Sequence, residues 1–165
     1  MKYQLKYAAL KRLRRVMDGY CNVVPAQMLG DFLRWEKEVK PNKLFVYGIL
    51  KRGFSLDLER EGAKFLGEAT LQPANLYHVG GGVGLRIEDE GKVYGEVFEI
   101  PPTMWRWLDG IEGHPYTYMR QQVQAFIVDR VGPEEVWVYV HQHPEYFTGL
   151  IESGRYESDS EYARG

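Results

Sequence analysis

The sequence predicts an α+β fold in which helices come first and strands follow. Within residues 1–40, apolar side chains recur at spacings of three and four, which is typical of amphipathic helices. From Leu44 onwards the apolar period falls to two or to short apolar runs, which is typical of strands. Two short helical patches interrupt the strands, so helices and strands are largely segregated along the chain.

Two helices are predicted within the first 40 residues. The apolar face of the first consists of Tyr3, Tyr7, Leu10, Leu13 and Met17. Its other faces are basic, and Asp18-Gly19 ends it. The second helix runs from about Pro25 to Val39, and Pro41-Asn42 ends it. We therefore assign residues 1–42 to a basic, helical N-terminal extension.

Six strands are predicted after this extension. They cover Leu44–Tyr47, Lys64–Thr70, Ala74–Val79, Lys92–Ile100, Gln121–Val128 and Val136–His141. The two helical patches lie near Leu56–Glu61 and at Pro102–Leu108, where Pro102 suits a first helical turn. These elements are expected to form one domain over residues 43–156. The polar and acidic residues 157–165 are expected to form a flexible tail.

Composition excludes several classes of protein. The 165 residues are 44% hydrophobic and 14% aromatic, which is too apolar for a disordered chain. The single cysteine, Cys21, excludes an internal disulfide framework and a cysteine-rich zinc site. No run of 18 apolar residues occurs, and the N-terminus lacks the apolar run of a signal peptide. We therefore expect a cytoplasmic protein with no membrane segment.

The formal net charge of -2 hides an uneven distribution. Residues 1–40 carry nine basic and four acidic residues, a net of +5, and residues 41–165 carry the remaining twelve and nineteen, a net of -7. The overall charge argues against a protein that binds nucleic acid over its whole surface, and nucleic acid is not the expected partner. For the basic helix Lys6–Arg15, nucleic acid, an acidic partner, the acidic face of its own domain and a solvated surface all stay open.

A hydrophobic strand that runs into glycine is the first candidate site. Leu44–Tyr47 is followed by Gly48, Ile49 and Leu50, and a second glycine follows at Gly53. A turn of this kind can point several backbone N–H groups at a carboxylate or an oxyanion. An ordinary strand that ends in a turn has the same composition, so both interpretations are open at this point.

The carboxylate of Glu112 is the second candidate. It is flanked by Gly110 and Gly113, in a predicted loop between the second helical patch and a strand, and aromatic residues follow it. An apolar, aromatic environment raises the pKa of a carboxyl group, as general acid–base catalysis near neutral pH requires. A solvated loop glutamate is the alternative interpretation.

Taken together, these two segments resemble the gamma-glutamylcyclotransferase-like family, in particular the small branch that includes gamma-glutamylamine cyclotransferase. The matching pieces are Tyr47-Gly48-Ile49-Leu50 with Gly53, Phe65-Leu66-Gly67, Leu76-Tyr77, Val93-Tyr94-Gly95-Glu96, Leu108-Asp109-Gly110-Ile111-Glu112-Gly113 and Tyr118-Met119-Arg120. Their order and spacing carry the resemblance, which extends from Leu44 to about Tyr156 and leaves residues 1–40 outside.

The resemblance implies a mixed β-barrel with flanking helices that acts on a γ-glutamyl amide or γ-glutamylamine. In this family the α-amine of the glutamyl group attacks its own γ-carbonyl, so that 5-oxoproline forms and an amine leaves, without a metal or an organic cofactor. The resemblance gives Glu112 the role of general acid and base. It also makes the backbone of Gly48, Ile49 and Leu50 a cradle for the substrate. Tyr47 and Tyr118 become pocket walls and hydrogen-bond donors, and Arg120 is a structural partner or an anion contact.

The sequence departs from the family pattern at three places. Ile49 stands where the family has Thr, Leu56-Asp57 stands near the place where it has Asn-His, and Gly80–Gly84 replaces a glycine-tyrosine-proline segment. The first two departures motivate a second hypothesis. The second hypothesis is a catalytically weak or inactive binding protein on the same fold, which docks a partner through its basic N-terminal helices. A pocket that joins Gly48–Leu50 to Glu112 would favour the enzyme.

His141 and His143 are spaced as a possible pair of metal ligands. Both rings can lie on one face near the end of a strand. Two histidines are too few for a structural zinc site, and no third ligand has the required spacing. We therefore predict no metal site.

Overall fold

The computed structural model describes residues 42–157, so the predicted helical extension and residues 158–165 of the predicted tail lie outside the described residues. Within residues 42–157 the chain forms eight strands and one α-helix. The strands are β1 (Lys43–Val46), β2 (Lys64–Leu71), β3 (Ala74–Val79), β4 (Gly82–Ile87), β5 (Val93–Glu99), β6 (Tyr118–Ile127), β7 (Glu134–His141) and β8 (Phe147–Leu150). The helix α1 spans Trp105–Glu112, and short 3-10 helices occupy Pro102–Met104 and Pro144–Tyr146. All six predicted strands are therefore present.

Five of the strands close into a barrel in the order β1-β5-β2-β6-β7. β1 pairs with β7 in parallel, with Leu44 opposite Trp137, whereas the other neighbours are antiparallel. The barrel is thus mixed, which confirms the predicted fold. Because the first strand of the barrel meets the last, no strand of this sheet is left with an unpaired edge.

The strand β1 is buried on both of its faces. Leu44, Phe45 and Val46 are each at most 3% exposed. Successive side chains of a strand point to opposite faces, and accordingly Phe45 packs in the barrel interior while Leu44 and Val46 pack in a second cluster with Leu108 of α1. Burial of each such side chain contributes about 1.5–3 kcal/mol. This double burial holds β1 between the barrel interior and α1, and it thereby positions the turn that follows β1.

A separate three-stranded sheet, in the order β4-β3-β8, packs its apolar residues against the barrel interior. Our sequence analysis missed β4 and β8. The glycines of β4 resemble a loop in composition, but one of them is required by packing. A Cβ at Gly84 would lie 2.9 Å from the Cβ of His141 and 2.9 Å from the ring of Phe147. β4 thus has glycine instead of an apolar side chain at this position because β7 and β8 pack closely against it.

The helical patch predicted at Leu56–Glu61 is wrong, because this stretch forms a series of turns. Gly53 before this stretch and Gly62 directly after it adopt positive φ angles of 81° and 100°, so the backbone turns on both sides of it. The side chain of Asp57 also accepts hydrogen bonds from nearby backbone N–H groups and so competes with a helix for them.

The helical patch predicted at Pro102–Leu108 is confirmed, and it extends further than expected. Pro102 begins the 3-10 helix that leads into α1, and α1 continues to Glu112. Gly113 then ends the helix in the left-handed conformation, with a φ of 62°. Among residues 42–157, no helix has both the length and the apolar character that crossing a membrane requires.

Candidate functional site

A cavity of about 230 Å³ lies where the turn after β1, the end of α1 and the start of β6 come together. We call it the central cavity. All the predicted site residues line it, namely Tyr47, Gly48, Ile49, Leu50, Glu112 and Tyr118. Its volume is below the usual 300–1,000 Å³ of small-molecule pockets, so it suits a group of a few heavy atoms rather than a large ligand.

The turn Gly48–Leu50 contributes its backbone to the central cavity. Its carbonyl groups are held within the loop, since the N–H groups of Lys51, Leu56 and Leu58 donate to the oxygens of residues 48, 49 and 50 at 3.1–3.2 Å. In contrast, none of the hydrogen bonds formed within residues 42–157 uses the N–H groups of residues 48–50. Three consecutive donors at a cavity wall can hold a carboxylate or a developing oxyanion.

Asp57 organises the loop that follows this turn. Its carboxylate accepts hydrogen bonds from the backbone N–H groups of Gly53 at 2.8 Å and Glu59 at 2.9 Å. These bonds, the one from Gly53 foremost, lower the pKa of Asp57, which is only 7% exposed. In sequence, Leu56-Asp57 departs from the family pattern. In the structure, the carboxylate of Asp57 holds the backbone of this loop in place.

Glu112 is the last residue of α1, not the member of a loop that the sequence predicted. The left-handed turn at Gly113 follows directly, and a Cβ there would lie 2.9 Å from Oγ1 of Thr117. No residue within 42–157 forms a hydrogen bond or an ion pair with the Glu112 carboxylate. Burial raises the pKa of Glu112 to about 7, so its carboxyl group can both accept and release a proton near neutral pH.

Tyr47 and Tyr118 form walls of the central cavity, but their hydroxyl hydrogens are already used. The hydroxyl of Tyr47 donates to the carbonyl of Tyr139 at 2.6 Å, and that of Tyr118 donates to the carbonyl of Val83 at 2.8 Å. The oxygen of Tyr47 also accepts from the backbone N–H of Leu85 at 3.4 Å. That these two hydroxyls donate to a substrate stays a prediction from the resemblance. Burial raises the pKa of Tyr118, and the charge of Glu112 raises it further, so this phenol stays neutral.

A charged network ties α1 to strands β6 and β7. The guanidinium of Arg120 contacts both carboxylate oxygens of Asp109, with Nε–Oδ1 at 2.9 Å and an N–H group donating to Oδ2 at 3.0 Å. The hydroxyl of Tyr139 donates to Oδ1 of Asp109 at 2.7 Å. The same guanidinium lies 4.7 Å from the ring of Trp105 and 5.1 Å from that of Trp137. Arg120 is therefore a structural partner of Asp109.

This network lies one helical turn before Glu112. Asp109 and Glu112 are three residues apart on α1, so a helix anchored at Asp109 is anchored close to Glu112. The backbone N–H of His114 also donates to the carbonyl of Asp109 at 2.9 Å, and Nδ1 of His114 accepts from the N–H of Arg120 at 3.2 Å. The end of α1 is consequently held from both sides of Glu112.

Sequence reasoning missed Tyr139 and Tyr156, which also line the central cavity. Tyr139 belongs to the regular pattern of β7, and Tyr156 lies near the end of the described residues. Neither position carries a local motif that would distinguish it from a packing residue.

The histidine pair does not form a metal centre with other described residues. Nδ1 of His141 accepts from the backbone N–H of His143 at 3.1 Å, and Nδ1 of His143 lies 3.1 Å from a carboxylate oxygen of Glu145. Within residues 42–157, no three His, Cys, Asp or Glu side chains are arranged to hold a metal ion.

The central cavity therefore combines two chemical capabilities. One is proton transfer by a carboxyl group that is half ionised near pH 7. The other is stabilisation of negative charge by fixed backbone donors. Together they suit the addition of a nucleophile to a carbonyl group, followed by loss of a leaving group that must be protonated.

Comparisons with known proteins agree with this geometry. The model of the family described as "Gamma-glutamyl cyclotransferase, AIG2-like" matches residues 44–158. A putative gamma-glutamylcyclotransferase of Methanocaldococcus jannaschii is 32% identical over 117 residues, which cover 69% of this chain and 94% of the relative. A gamma-glutamylaminecyclotransferase of Bos taurus is 36% identical over 106 residues, or 58% of this chain and 63% of that protein.

A solved structure also has the same fold. The crystal structure of an AIG2-like protein from Mus musculus matches with a TM-score of 0.62 at 26% identity. The match covers 70% of this chain and 87% of that one. The barrel described above is thus the fold of these proteins.

Proposed function

The chain belongs to the gamma-glutamyl cyclotransferase, AIG2-like, family, and from this premise we propose that it releases 5-oxoproline and an amine from a γ-glutamyl amide or γ-glutamylamine. The central cavity carries this proposal. Its lining includes Glu112, whose carboxyl group has a pKa of about 7 and no hydrogen-bond or ion-pair partner among residues 42–157, and the turn Gly48–Leu50.

In the proposed reaction, Glu112 first takes a proton from the α-ammonium of the glutamyl group. The freed amine then attacks the γ-carbonyl carbon, a C–N bond forms, and the carbonyl oxygen becomes negatively charged. The N–H groups of Gly48, Ile49 and Leu50 stabilise this oxyanion. Holding the glutamyl chain bent accelerates the step, because effective molarities of aligned reactants reach about 10⁵–10⁸ M.

The second half of the reaction breaks the bond to the leaving nitrogen. Glu112 returns its proton to that nitrogen as the carbonyl reforms, so the amine departs and the lactam remains. Glu112 then accepts the second proton of the α-nitrogen as the lactam forms and passes it to the departed amine. The α-nitrogen thus loses two protons and the leaving amine gains two, so the overall reaction consumes neither acid nor base. A pKa near 7 suits this exchange, because the group must be a base in one step and an acid in the next.

Ile49 is compatible with this proposal. Its side chain lines the central cavity but is 37% exposed, and the cavity remains open beside it. The proposed contribution of residue 49 is its backbone N–H group, which any residue except proline supplies. The missing Thr hydroxyl therefore leaves the proposed oxyanion donors in place.

The decisive experiment is to incubate the purified full chain with a panel of γ-glutamyl amines and γ-glutamyl peptides and to measure 5-oxoproline. We expect release from at least one member, and the Glu112→Gln variant serves as the blank. A folded protein that releases no 5-oxoproline from any member of a panel with small, large, charged and neutral amines would contradict the proposal.

Two predictions from the sequence are not tested by residues 42–157. Docking of an acidic partner by residues 1–42 and a cytoplasmic location stay predictions. A co-purification with and without residues 1–42 would test the first of them.

A further inference from the structure

Three tyrosines line the central cavity together with Glu112. They are Tyr47, which directly follows β1, Tyr118 at the start of β6 and Tyr139 on β7. Burial is the largest cause that raises the pKa of each phenol, and the negative charge of Glu112 raises each of them further. All three phenols therefore lie within electrostatic reach of the Glu112 carboxylate.

None of these phenols donates a hydrogen bond to Glu112. A phenol has one hydrogen to donate, and each of the three gives it to another acceptor. The hydroxyls of Tyr47 and Tyr118 donate to backbone carbonyl groups, and the hydroxyl of Tyr139 donates to Oδ1 of Asp109 at 2.7 Å. Within residues 42–157, Glu112 thus has no donor although three lie around it.

The acceptor of the Tyr139 hydroxyl differs from the other two because it is a side chain of the same helix as Glu112. Asp109 and Glu112 are three residues apart on α1. Side chains at this spacing are neighbours on a helix, with about 5–6 Å between their Cβ atoms. Tyr139 is only 3% exposed, so its hydroxyl depends on an acceptor from the protein. The two carboxyl groups therefore compete for one hydroxyl hydrogen.

Arg120 holds Asp109 in the position that wins this competition. Its Nε lies 2.9 Å from Oδ1 of Asp109, and a second guanidinium nitrogen donates to Oδ2 at 3.0 Å. Because both oxygens are engaged by one planar group, the carboxylate has a fixed orientation. Oδ1 consequently stays directed towards the hydroxyl of Tyr139.

The other titratable groups at this end of α1 do not take the place of Tyr139. Arg120 is engaged by Asp109, and Nδ1 of His114 accepts from the backbone N–H of Arg120 at 3.2 Å. Tyr156, from the C-terminal segment, also lines the central cavity. None of these groups forms a hydrogen bond or an ion pair with Glu112 within the part of the chain that the structure describes.

A hydrogen bond from Tyr139 would stabilise the ionised form of Glu112 and so make it a weaker base. We propose that Asp109 is a positioning residue that holds the hydroxyl hydrogen of Tyr139 away from Glu112, and thereby keeps Glu112 basic enough to deprotonate the substrate. This inference rests on the proposed function, in which Glu112 first takes a proton from the α-ammonium. It gives Asp109 a role beyond anchoring α1.

Pairs of proteins with and without the Tyr139 hydroxyl test this inference. Tyr139→Phe is made in the wild type, in Asp109→Leu, which removes the acceptor, and in Asp109→Asn, which removes the charge but keeps an acceptor oxygen. The pKa of Glu112 in each folded full chain is measured by NMR titration, with glutamate labelled isotopically at its side-chain carboxyl carbon. The signal that is missing from the Glu112→Gln variant identifies Glu112.

The effect of Tyr139→Phe should depend on the residue at position 109. In Asp109→Leu the hydroxyl can turn to Glu112, so its removal should raise the pKa of Glu112 by about one pH unit. In the wild type and in Asp109→Asn the hydroxyl keeps its acceptor, so its removal should change this pKa by less than about 0.3 pH units. Comparison within each pair cancels the direct effect of the Asp109 charge. If Asp109→Leu does not fold, Asp109→Ala takes its place.

A purely structural role of Asp109 predicts a different result. An anchor that only supports α1 would change stability and kcat, but it would not make the pKa of Glu112 depend on the Tyr139 hydroxyl. No effect of Tyr139→Phe in the background that lacks the acceptor would overturn the inference. An equal rise in the wild type or in Asp109→Asn would also overturn it, because the hydroxyl would then not be held away from Glu112.

The pH dependence of 5-oxoproline release gives a second measurement. In the proposed reaction, kcat/KM falls at low pH as Glu112 becomes protonated. The midpoint of this fall should lie about one pH unit lower in Asp109→Leu than in the Asp109→Leu/Tyr139→Phe double variant. The NMR titration needs no substrate, so it decides the inference even if no 5-oxoproline is released and the proposed function fails.

Discussion

The two sides of the central cavity supply their chemistry in different ways. The turn Gly48–Leu50 offers backbone N–H groups, which do not depend on the side chains of these residues. The end of α1 offers the carboxyl group of Glu112, which a single substitution removes. We therefore expect the turn to tolerate changes of side chain but to depend on the loop that holds it, whereas any change of the Glu112 side chain should remove the chemistry of the other side.

The supports of the two sides differ as well. On one side, the loop that follows the turn is held by the carboxylate of Asp57, which accepts hydrogen bonds from backbone N–H groups of that loop. Glu112 is held by a helix that Asp109 and Arg120 connect to two barrel strands. One support is local in the sequence and the other joins distant segments. The predictions below test this difference, beginning with the largest expected effect.

Substitution of Glu112 should have the largest effect on activity. Glu112→Gln removes the group that carries the proton in the proposed reaction, so kcat/KM should fall by about 10²–10⁴-fold. The measurement is the rate of 5-oxoproline release on the best substrate of the panel. A variant that keeps more than a tenth of the wild-type rate would remove Glu112 from the proposed role.

The same substitution should stabilise the protein at neutral pH. The pKa of Glu112 is raised from its ordinary value of 4.5 to about 7 in the folded protein. At pH values between these two, the folded protein keeps a proton on Glu112 that the unfolded chain releases. The free energy of unfolding of the wild type therefore falls as the pH rises through this window, and Glu112→Gln avoids the loss. The variant should gain up to about 3 kcal/mol relative to the wild type between about pH 4 and pH 8. Urea denaturation at several pH values measures this difference, and parallel curves for the two proteins would contradict the raised pKa.

Loss of the charged network should disturb stability and catalysis together. Asp109→Ala leaves the guanidinium of Arg120 and the hydroxyl of Tyr139 without their partner, and should lower the free energy of unfolding by about 1–3 kcal/mol. Because the end of α1 loses its anchor, kcat should fall more than KM rises. Glu135→Ala, which removes an exposed carboxylate on β7, is the control and should change neither quantity. Wild-type kcat in a folded Asp109→Ala protein would show that the network does not position Glu112.

Removal of the loop support should have a smaller effect on the other side of the cavity. Asp57→Ala loses two hydrogen bonds from backbone N–H groups and should cost about 1–2 kcal/mol of stability. The donors of the turn then lose their fixed positions, so kcat/KM should fall by roughly 3–30-fold through weaker oxyanion stabilisation. Asp57→Asn keeps one acceptor oxygen and should lie between the wild type and Asp57→Ala. If the Ala and Asn variants lose activity equally, retention of a single acceptor oxygen does not preserve the turn.

Restoring the family residue at position 49 should have the smallest effect. Ile49→Thr changes a side chain that is 37% exposed and leaves the backbone N–H unchanged. We expect kcat/KM to stay within about threefold of the wild type. An increase of tenfold or more would mean that a hydroxyl at this position contacts the substrate.

The parts of the fold that follow a regular hydrophobic period could be predicted from the sequence. The six strands with apolar alternation or apolar runs were found, whereas β4 and β8 were not. β4 owes its place to contact between Gly84 and the side chains of distant strands, and this contact leaves no hydrophobic pattern. The turns at Leu56–Glu61 were mistaken for a helix because the effect of Asp57 on the backbone depends on three-dimensional geometry.

The candidate site divides in the same way. Residues that lie in motifs, such as Gly48 and Glu112, could be predicted to share a cavity through a resemblance to a family. The pKa of Glu112 and the partners of the Tyr47 and Tyr118 hydroxyls depend on residues far away in the sequence. The sequence predicts Glu112 in a loop because Gly110 and Gly113 flank it, and glycine is typical of a helix end. In the structure α1 continues through Gly110 and ends only at Glu112.

The pairing of β1 with both β5 and β7 has a consequence for how the protein folds. The hydroxyl of Tyr47 and the carbonyl of Tyr139 are 92 residues apart in the sequence, yet they meet at the central cavity. During synthesis, β1 therefore cannot form its pairing with β7, and the barrel cannot close, until β7 has left the ribosome. Contacts of such long range are formed slowly, because a large loop must be closed first. We expect a nascent chain that ends before β7 to have no central cavity, and the strands already made to expose edges that later become paired.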